Sequence, residues 1–207
     1  MAIRLLLASN NQHKIRELRD LLDGDDFEVL APEDLDVRLE VEETGESFAE
    51  NAVLKAESFS ARTGLLSLAD DSGLMVDALG GDPGFLSARY GGKGLTDDNR
   101  NQLVLSLLRG VPRAKRTARF VAAIAVATPG QTTRVFEGVV EGLITEEPRG
   151  SNGFGYDPIF FYPPFDRTFG EDPGEREGQK RDVSHRALAL RAAVKYLTGM
   201  QGRDILV

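Results

Sequence analysis

Residues 3–14 read Ile3-Arg4-Leu5-Leu6-Leu7-Ala8-Ser9-Asn10-Asn11-Gln12-His13-Lys14, and this stretch decides the fold. Residues 3–8 form a short, nearly continuous apolar run of the kind a strand buried on both faces requires, and the polar residues 9–12 close it. Beyond them Ile15, Leu18, Leu21 and Leu22 recur on one helical face, with Gly24 placed to end the helix. A strand, a polar turn and a helix start follow one another without a break.

The alternation continues down the chain. Ser47, with Glu50 three residues later, predicts a capping box for a helix reaching Gly64, its buried stripe being Phe48, Ala52, Ala56 and Phe59. Residues 65–69 read as a second buried strand, cut short by Asp70-Asp71-Ser72-Gly73 before another apolar run at 74–79. The glycine-rich stretch 80–94 reads as loop. Thr96 and Asn99, with Leu103, Leu107 and Leu108 as the apolar positions, predict a third helix ending at Gly110. Residues 119–128 and 133–146 flank the turn signal Pro129-Gly130 and predict a hairpin. A second glycine-rich loop at 150–155, a brief strand at 158–161 and a polar segment at 163–180 without periodicity lead to a last helix carrying Leu190, Ala193, Val194 and Leu197. This order of elements predicts a mixed α/β sheet in one domain spanning residues 1–207.

Composition narrows the function. The 207 residues carry 25 Lys and Arg against 33 Asp and Glu, a formal charge of -8, with 41% apolar and 28% charged residues. Such a chain has material for a real core, and it lacks the broad basic surface that releases counterions from DNA or RNA, so nucleic acid is not an expected partner. With no cysteine, disulfides, thiolate metal sites and thiol nucleophiles are excluded. The apolar run after Arg4 is too short for a signal-peptide core and the longest one, at 120–127, is too short to span a bilayer, so the expectation is a cytoplasmic protein without membrane contact. Among 25 basic residues only six are lysines, at 14, 55, 93, 115, 180 and 195, which directs attention to them.

Several groups of residues have chemistry to offer. The turn Ser9, Asn10, Asn11, Gln12, His13 and Lys14 hands a strand over to a helix, where free backbone N–H groups attract phosphate oxygens; an ordinary asparagine-rich capped turn is the alternative. Asp70 and Asp71 are adjacent carboxylates that repel each other unless a cation compensates, magnesium being the obvious one; the alternative has one acid in solvent and the other capping a turn. Glu40, Glu42 and Glu43 could add an oxygen ligand, since magnesium usually takes one or two carboxylates together with waters and substrate phosphates. Lys55 falls inside the apolar stripe of its helix, and either snorkels to the edge or aims its ammonium at a buried acid or a phosphate. In Gly153-Phe154-Gly155-Tyr156-Asp157-Pro158 an aromatic ring between two glycines permits close approach of a flat ligand, unless Phe154 simply plugs the core. Lys180, then Ser184, His185 and Arg186, open the last helix, and cations at a helix start are unfavourable enough to suggest a function.

Seven blocks in order resemble the inosine triphosphate pyrophosphatase family: Ala8 to Lys14, Glu42-Glu43-Thr44-Gly45, Glu50 to Ala56, Ala69 to Leu74, Ser87-Ala88-Arg89-Tyr90, Gly153 to Phe160 and Ser184-His185-Arg186. The resemblance covers nearly the whole chain. It implies Mg2+-dependent hydrolysis of deaminated purine nucleoside triphosphates (ITP, dITP, XTP) to the monophosphate and pyrophosphate, by an elongated α/β protein with a cleft between two lobes, assembled as a homodimer. It further implies Ser9, Asn11 and Lys14 as triphosphate contacts, Glu43 and Asp71 as metal ligands, and Asp71 as the base. Asn10, Gln12, His13, Lys55 and Ser72 complete the substrate contacts, and Phe154, Gly155, Tyr156 and Asp157, with Lys180, His185 and Arg186, would hold the purine. This chain has Ser9-Asn10-Asn11 where the family usually has Thr-Gly-Asn, and residues 169–174 stand where the family has Ala-Glu-Leu. A non-catalytic nucleotide-binding regulator and a related pyrophosphatase for pyrimidine or methylated nucleotides are the competing readings.

Overall fold

The computed structural model describes residues 2–22, 24, 26–173 and 179–200. Its elements run β1 (Ile3–Leu7), α1 (Gln12–Leu21), β2 (Phe27–Leu30), α2 (Phe48–Thr63), β3 (Ser67–Val76), α3 (Asp97–Leu107), β4 (Thr117–Ala127), β5 (Arg134–Ile144), β6 (Phe160–Tyr162), β7 (Arg167–Thr168), α4 (Lys180–Val183) and α5 (His185–Met200). Seven strands form one sheet in the order β2-β1-β3-β4-β5-β6-β7. β1 pairs in parallel with β2 and β3, whereas β6 pairs antiparallel with β5 and β7, so the sheet is mixed and the fold is α/β, as the sequence predicts.

Two compact units divide the chain. The first comprises residues 1–71, 122–138 and 185–207, and the second residues 72–121 and 139–184. In the first unit the continuous apolar runs of the strands are buried on both faces. Leu5 and Leu7 of β1, Leu68 of β3 and Ala122, Ile124 and Val126 of β4 pack with Ile15 and Leu18 of α1 and Leu190 and Ala193 of α5. The alternate residues Leu6, Ala8, Ala69, Ala123, Ala125 and Ala127 face Ala52, Ala56 and Phe59 of α2. That stripe of α2 is the expected one, as are its ends: Ser47 Oγ accepts from Glu50 N, and Gly64 closes the helix in the left-handed conformation. The Glu50 side chain accepts from Glu46 N rather than closing the box on Ser47.

The second unit has its own core of Leu74, Val76, Val104, Leu108, Phe120, Ile144, Ile159, Phe160 and Phe169. Three expectations are corrected within it or at its border. The acidic segment does not end a strand: β3 runs unbroken from Ser67 to Val76 with Asp70 and Asp71 in mid-strand. Leu107, expected on the buried face of α3, is 48% exposed, and that face is built from Arg100, Asn101, Val104 and Leu105 instead. The segment at 163–180 is not featureless, since β7 pairs with β6 and Phe169 is buried; residues 174–178 of it lie outside the described residues.

Candidate active site

Consecutive residues of a strand point to opposite faces, and this disposes of the charge problem at Asp70-Asp71. Asp70 lies on the side of α1 and α5, where its Oδ2 meets Lys14 Nζ at 2.8 Å and Arg186 Nε at 3.3 Å. Asp71 lies on the side of α2, and its Oδ1 takes Lys55 Nζ at 2.8 Å. The same ammonium reaches Glu43 Oε1 at 3.0 Å and the Asp70 carbonyl at 2.9 Å. Lys55 therefore does not snorkel: it is aimed from the apolar stripe at buried acids. Arg186 Nη1 also holds Glu17 Oε2 at 2.6 Å. The compensating cations expected of a metal are, for these carboxylates, two lysines and an arginine.

The electrostatics split the pair. Burial works against the charge of Asp70, yet Arg186 and Lys14 outweigh it and hold its carboxyl well below the usual carboxylate range. Burial dominates at Asp71 and, with the Glu43 charge adding to it, lifts its pKa above the ordinary value against the pull of Lys55 and Lys14. Burial likewise opposes the charge of Lys55, but Asp71, Glu43 and Asp70 hold its ammonium above the ordinary lysine value. One neighbour is thus a fixed anion and the other a stronger proton acceptor. Asp71 Oδ2 is buried without a hydrogen-bond partner.

Glu43 sits in a segment without regular structure that is tied down at both ends. Asn10 Nδ2 donates to Leu39 O at 2.9 Å, and the fully buried Asn51 accepts from Gly45 N at 2.8 Å. At the turn before α1, Asn11 Oδ1 accepts from His13 N and Lys14 N at 3.0 and 3.2 Å, and Ser9 Oγ accepts from Asn11 N at 3.1 Å. Asn11 thus captures the N–H groups of His13 and Lys14, which is the capped turn that the sequence offers as the alternative. Gln12 Nε2 donates to Glu33 Oε2 at 3.3 Å, and His13 is exposed. A cavity of about 620 Å³ opens beside this turn, lined by Ser9, Asn10, Gln12, Arg38 and Glu40 among others. Two glycines explain how the elements close up. A Cβ at Gly73 would come within 2.3 Å of Ser87 Oγ, and one at Gly138 of β5 within 2.1 Å of the His185 carbonyl. The latter brings β5 against the start of α5, where His185 and Arg186 are 4% and 2% exposed. Ser72 follows on β3, half-buried.

In the second unit the loop 153–157 is held residue by residue. Asp157, 2% exposed, accepts from Phe154 N at 2.9 Å and from Lys180 Nζ at 2.5 Å. Lys180 Nζ lies 5.5 Å from the centre of the Phe154 ring. Tyr156 Oη donates to Ser87 O at 2.9 Å, and Tyr156 rather than Phe154 is the ring that enters the core. Phe154 is half-buried, outside the core cluster.

Sequence reasoning brought Glu43, Lys55 and Asp71 to one place and Phe154, Asp157 and Lys180 to another. It missed Glu17, and it gave Asp70 no role of its own. The signal for Glu17 was an acid three residues after Lys14 and one before the apolar Leu18, inside the buried arc of α1, where the structure leaves it 8% exposed. Nothing in the sequence alone links it to Arg186, 169 positions away. Asn51 and Asn101 are two more buried polar residues whose partners lie outside their own helices.

Comparison with known proteins gives a single family. The model of the Ham1 family matches residues 5–196. The dITP/XTP pyrophosphatase of Bacillus licheniformis is 47% identical over 90% of this chain and 94% of its own, and that of Bacillus subtilis 43% identical over 93% and 96%. Among solved structures, the Ham1 protein of Staphylococcus aureus superposes with a TM-score of 0.84 at 39% identity, covering 95% of this chain and 98% of its own. The Coxiella burnetii HAM1 protein gives 0.83 at 40% identity, over 95% and 99%.

Proposed function

This chain belongs to the Ham1 family, and from that premise we propose that it is a nucleoside-triphosphate pyrophosphatase cleaving deaminated purine nucleotides such as ITP, dITP and XTP into the monophosphate and pyrophosphate. The observation that carries the chemistry is Asp71. One of its oxygens is fixed by Lys55 and the other is buried and unpartnered. Its raised pKa suits a group that accepts a proton from an attacking water. Water adds to phosphorus, the anhydride bond releases pyrophosphate, and the water's proton passes to Asp71 Oδ2.

Among the described residues no group of three or more acidic or histidine side chains is assembled to hold a metal. Glu43 and Asp71, brought to one ammonium, nevertheless fit a magnesium ion held by two carboxylates, because waters and substrate phosphates supply the rest of its shell. Such an ion, when bound, supplies neutralisation of phosphate charge. The chain's own part is alignment and fixed charge. Ser9, Asn11 and Lys14 receive the phosphates, Asn10, Gln12, His13 and Ser72 complete the substrate contacts, and Lys55 keeps Asp71 and Glu43 in register. Phe154, Gly155, Tyr156 and Asp157, with Lys180 and His185, are assigned to the purine. Arg186 joins them by family resemblance, although its Nη1 and Nε are already engaged with Glu17 and Asp70. Homodimer assembly and a cytoplasmic location belong to the same reading; among the described residues no helix is long and apolar enough to cross a membrane.

Pyrophosphate release from ITP, XTP, GTP and ATP, with and without magnesium, tests the proposal. Lys180 and a ring N–H of His185 are donors that suit the O6 acceptor of hypoxanthine and xanthine, whereas adenine presents an amino donor, a mismatch that can reach roughly 10⁴-fold in efficiency. Fast metal-dependent turnover of ITP and XTP with little of ATP is expected. Equal efficiency on ATP and ITP overturns the account of the base, and the absence of any turnover overturns the function.

A further inference from the structure

A helix that buries asparagine where its pattern calls for leucine needs a reason other than packing. Asn101 on the inner face of α3 is 1% exposed, and its Nδ2 donates to Gly155 O at 3.0 Å. One turn earlier, Asp97 Oδ2 accepts from Gly155 N at 2.8 Å. Residues four apart share a helix face, so α3 grips the N–H and the C=O of one glycine together. The start of the helix is capped by other residues. Thr96 and Asn99 already form a reciprocal capping box. Asn101 Oδ1 is buried without a hydrogen-bond partner, a cost that a leucine of similar size would avoid.

The gripped residue lies between the two rings of the loop. Phe154 is tied through its N–H to Asp157, and Tyr156 through its hydroxyl to Ser87 O. The α3 grip fixes the peptides that join these anchors, and with them the direction in which the Phe154 ring stands. We propose that Asp97 and Asn101 are positioning residues for purine recognition, holding Gly155 so that the Phe154 ring is presented to the base. The inference rests on the reading that residues 154–157 hold the purine. It assigns a role to two residues outside the substrate contacts named above.

Calorimetry with IMP and with pyrophosphate, each in the presence of magnesium, separates base from phosphate binding on the full chain. For Asn101→Leu the expected result is an IMP Kd raised about tenfold, the scale of one lost hydrogen bond, with pyrophosphate Kd unchanged and no fall in melting temperature. Asp97→Ala should weaken IMP likewise, whereas Asp97→Asn, which keeps an acceptor, should bind IMP within about threefold of the wild type. The Asp97 side chain is 56% exposed, so the Asp97 pair decides the matter should Asn101→Leu fail to fold. An IMP Kd unchanged in the folded Ala and Leu variants, or a parallel loss of pyrophosphate affinity, overturns the positioning role. A wild type that binds no IMP overturns the proposed function and the purine role with it.

Discussion

Asp70 and Asp71 differ by one position and by everything that surrounds them. The alternation of a strand sends one carboxylate to Lys14 and Arg186 and the other to Lys55, and the two acquire opposite pKa shifts and so opposite uses. Asp71→Asn keeps the volume and removes the proton acceptor. Turnover should fall about 10²–10⁴-fold while the circular dichroism spectrum and melting curve stay close to wild type; a near-normal rate would remove Asp71 from the mechanism. Asp70→Asn should act on stability instead, since it strands Lys14 and half of Arg186's pairing in a buried place, at a cost of about 3–5 kcal/mol near neutrality. The sign of the pH dependence follows from the lowered carboxyl. The folded chain binds fewer protons here than the unfolded one, so this contribution is present above the unfolded carboxylate value near ~4 and is lost as pH falls below it. The gap between wild type and variant in denaturant unfolding should therefore narrow as pH is lowered from 6 to 2, and a gap that stays constant would show that Asp70 carries no such linkage.

At the scale of elements, legibility tracked local periodicity. β1, α1, α2 and the β4–β5 pair were readable because continuous apolar runs, 3.6-residue stripes and capping residues are short-range signals. The unbroken course of β3 was not, because a pair of aspartates beside glycine looks like a turn unless one knows which cations stand on each face. The buried polar face of α3 was hidden for the same reason: Asn101 is explained by Gly155, 54 positions away. Gly138 is the clearest case of an element contact that sequence leaves silent, a glycine inside a strand pattern that admits the first turn of α5. Gly138→Ala should lower stability by about 1–3 kcal/mol through overpacking. It should also reduce catalytic efficiency, because the backbone it displaces carries His185 and Arg186. Loss of stability with unchanged efficiency on ITP would separate the packing of α5 from the site.

On the scale of the whole molecule, a protein of net charge -8 that acts on polyanions must hold its acids and its cations in strict arrangement. In the first unit the carboxylates of Glu17, Glu43, Asp70 and Asp71 are answered by Lys14, Lys55 and Arg186 from the chain itself. Under the proposed function, that internal answer separates the metal's part in catalysis from any part in folding. A structural metal site leaves its ligands repelling one another when stripped, and the fold goes with it. Here an ammonium already bridges Glu43 and Asp71, so the chain without a bound ion keeps both carboxylates on Lys55 instead of leaving them to repel each other. Chelation is accordingly expected to abolish pyrophosphate release while the melting temperature moves by no more than about 2 °C, under ~1 kcal/mol for a chain of this length. Magnesium added back should restore turnover at once, without a refolding lag. A large drop in melting temperature on chelation would mean that Lys55 does not suffice to hold the two acids together, and that the ion pairs of this unit are completed by metal in the resting protein.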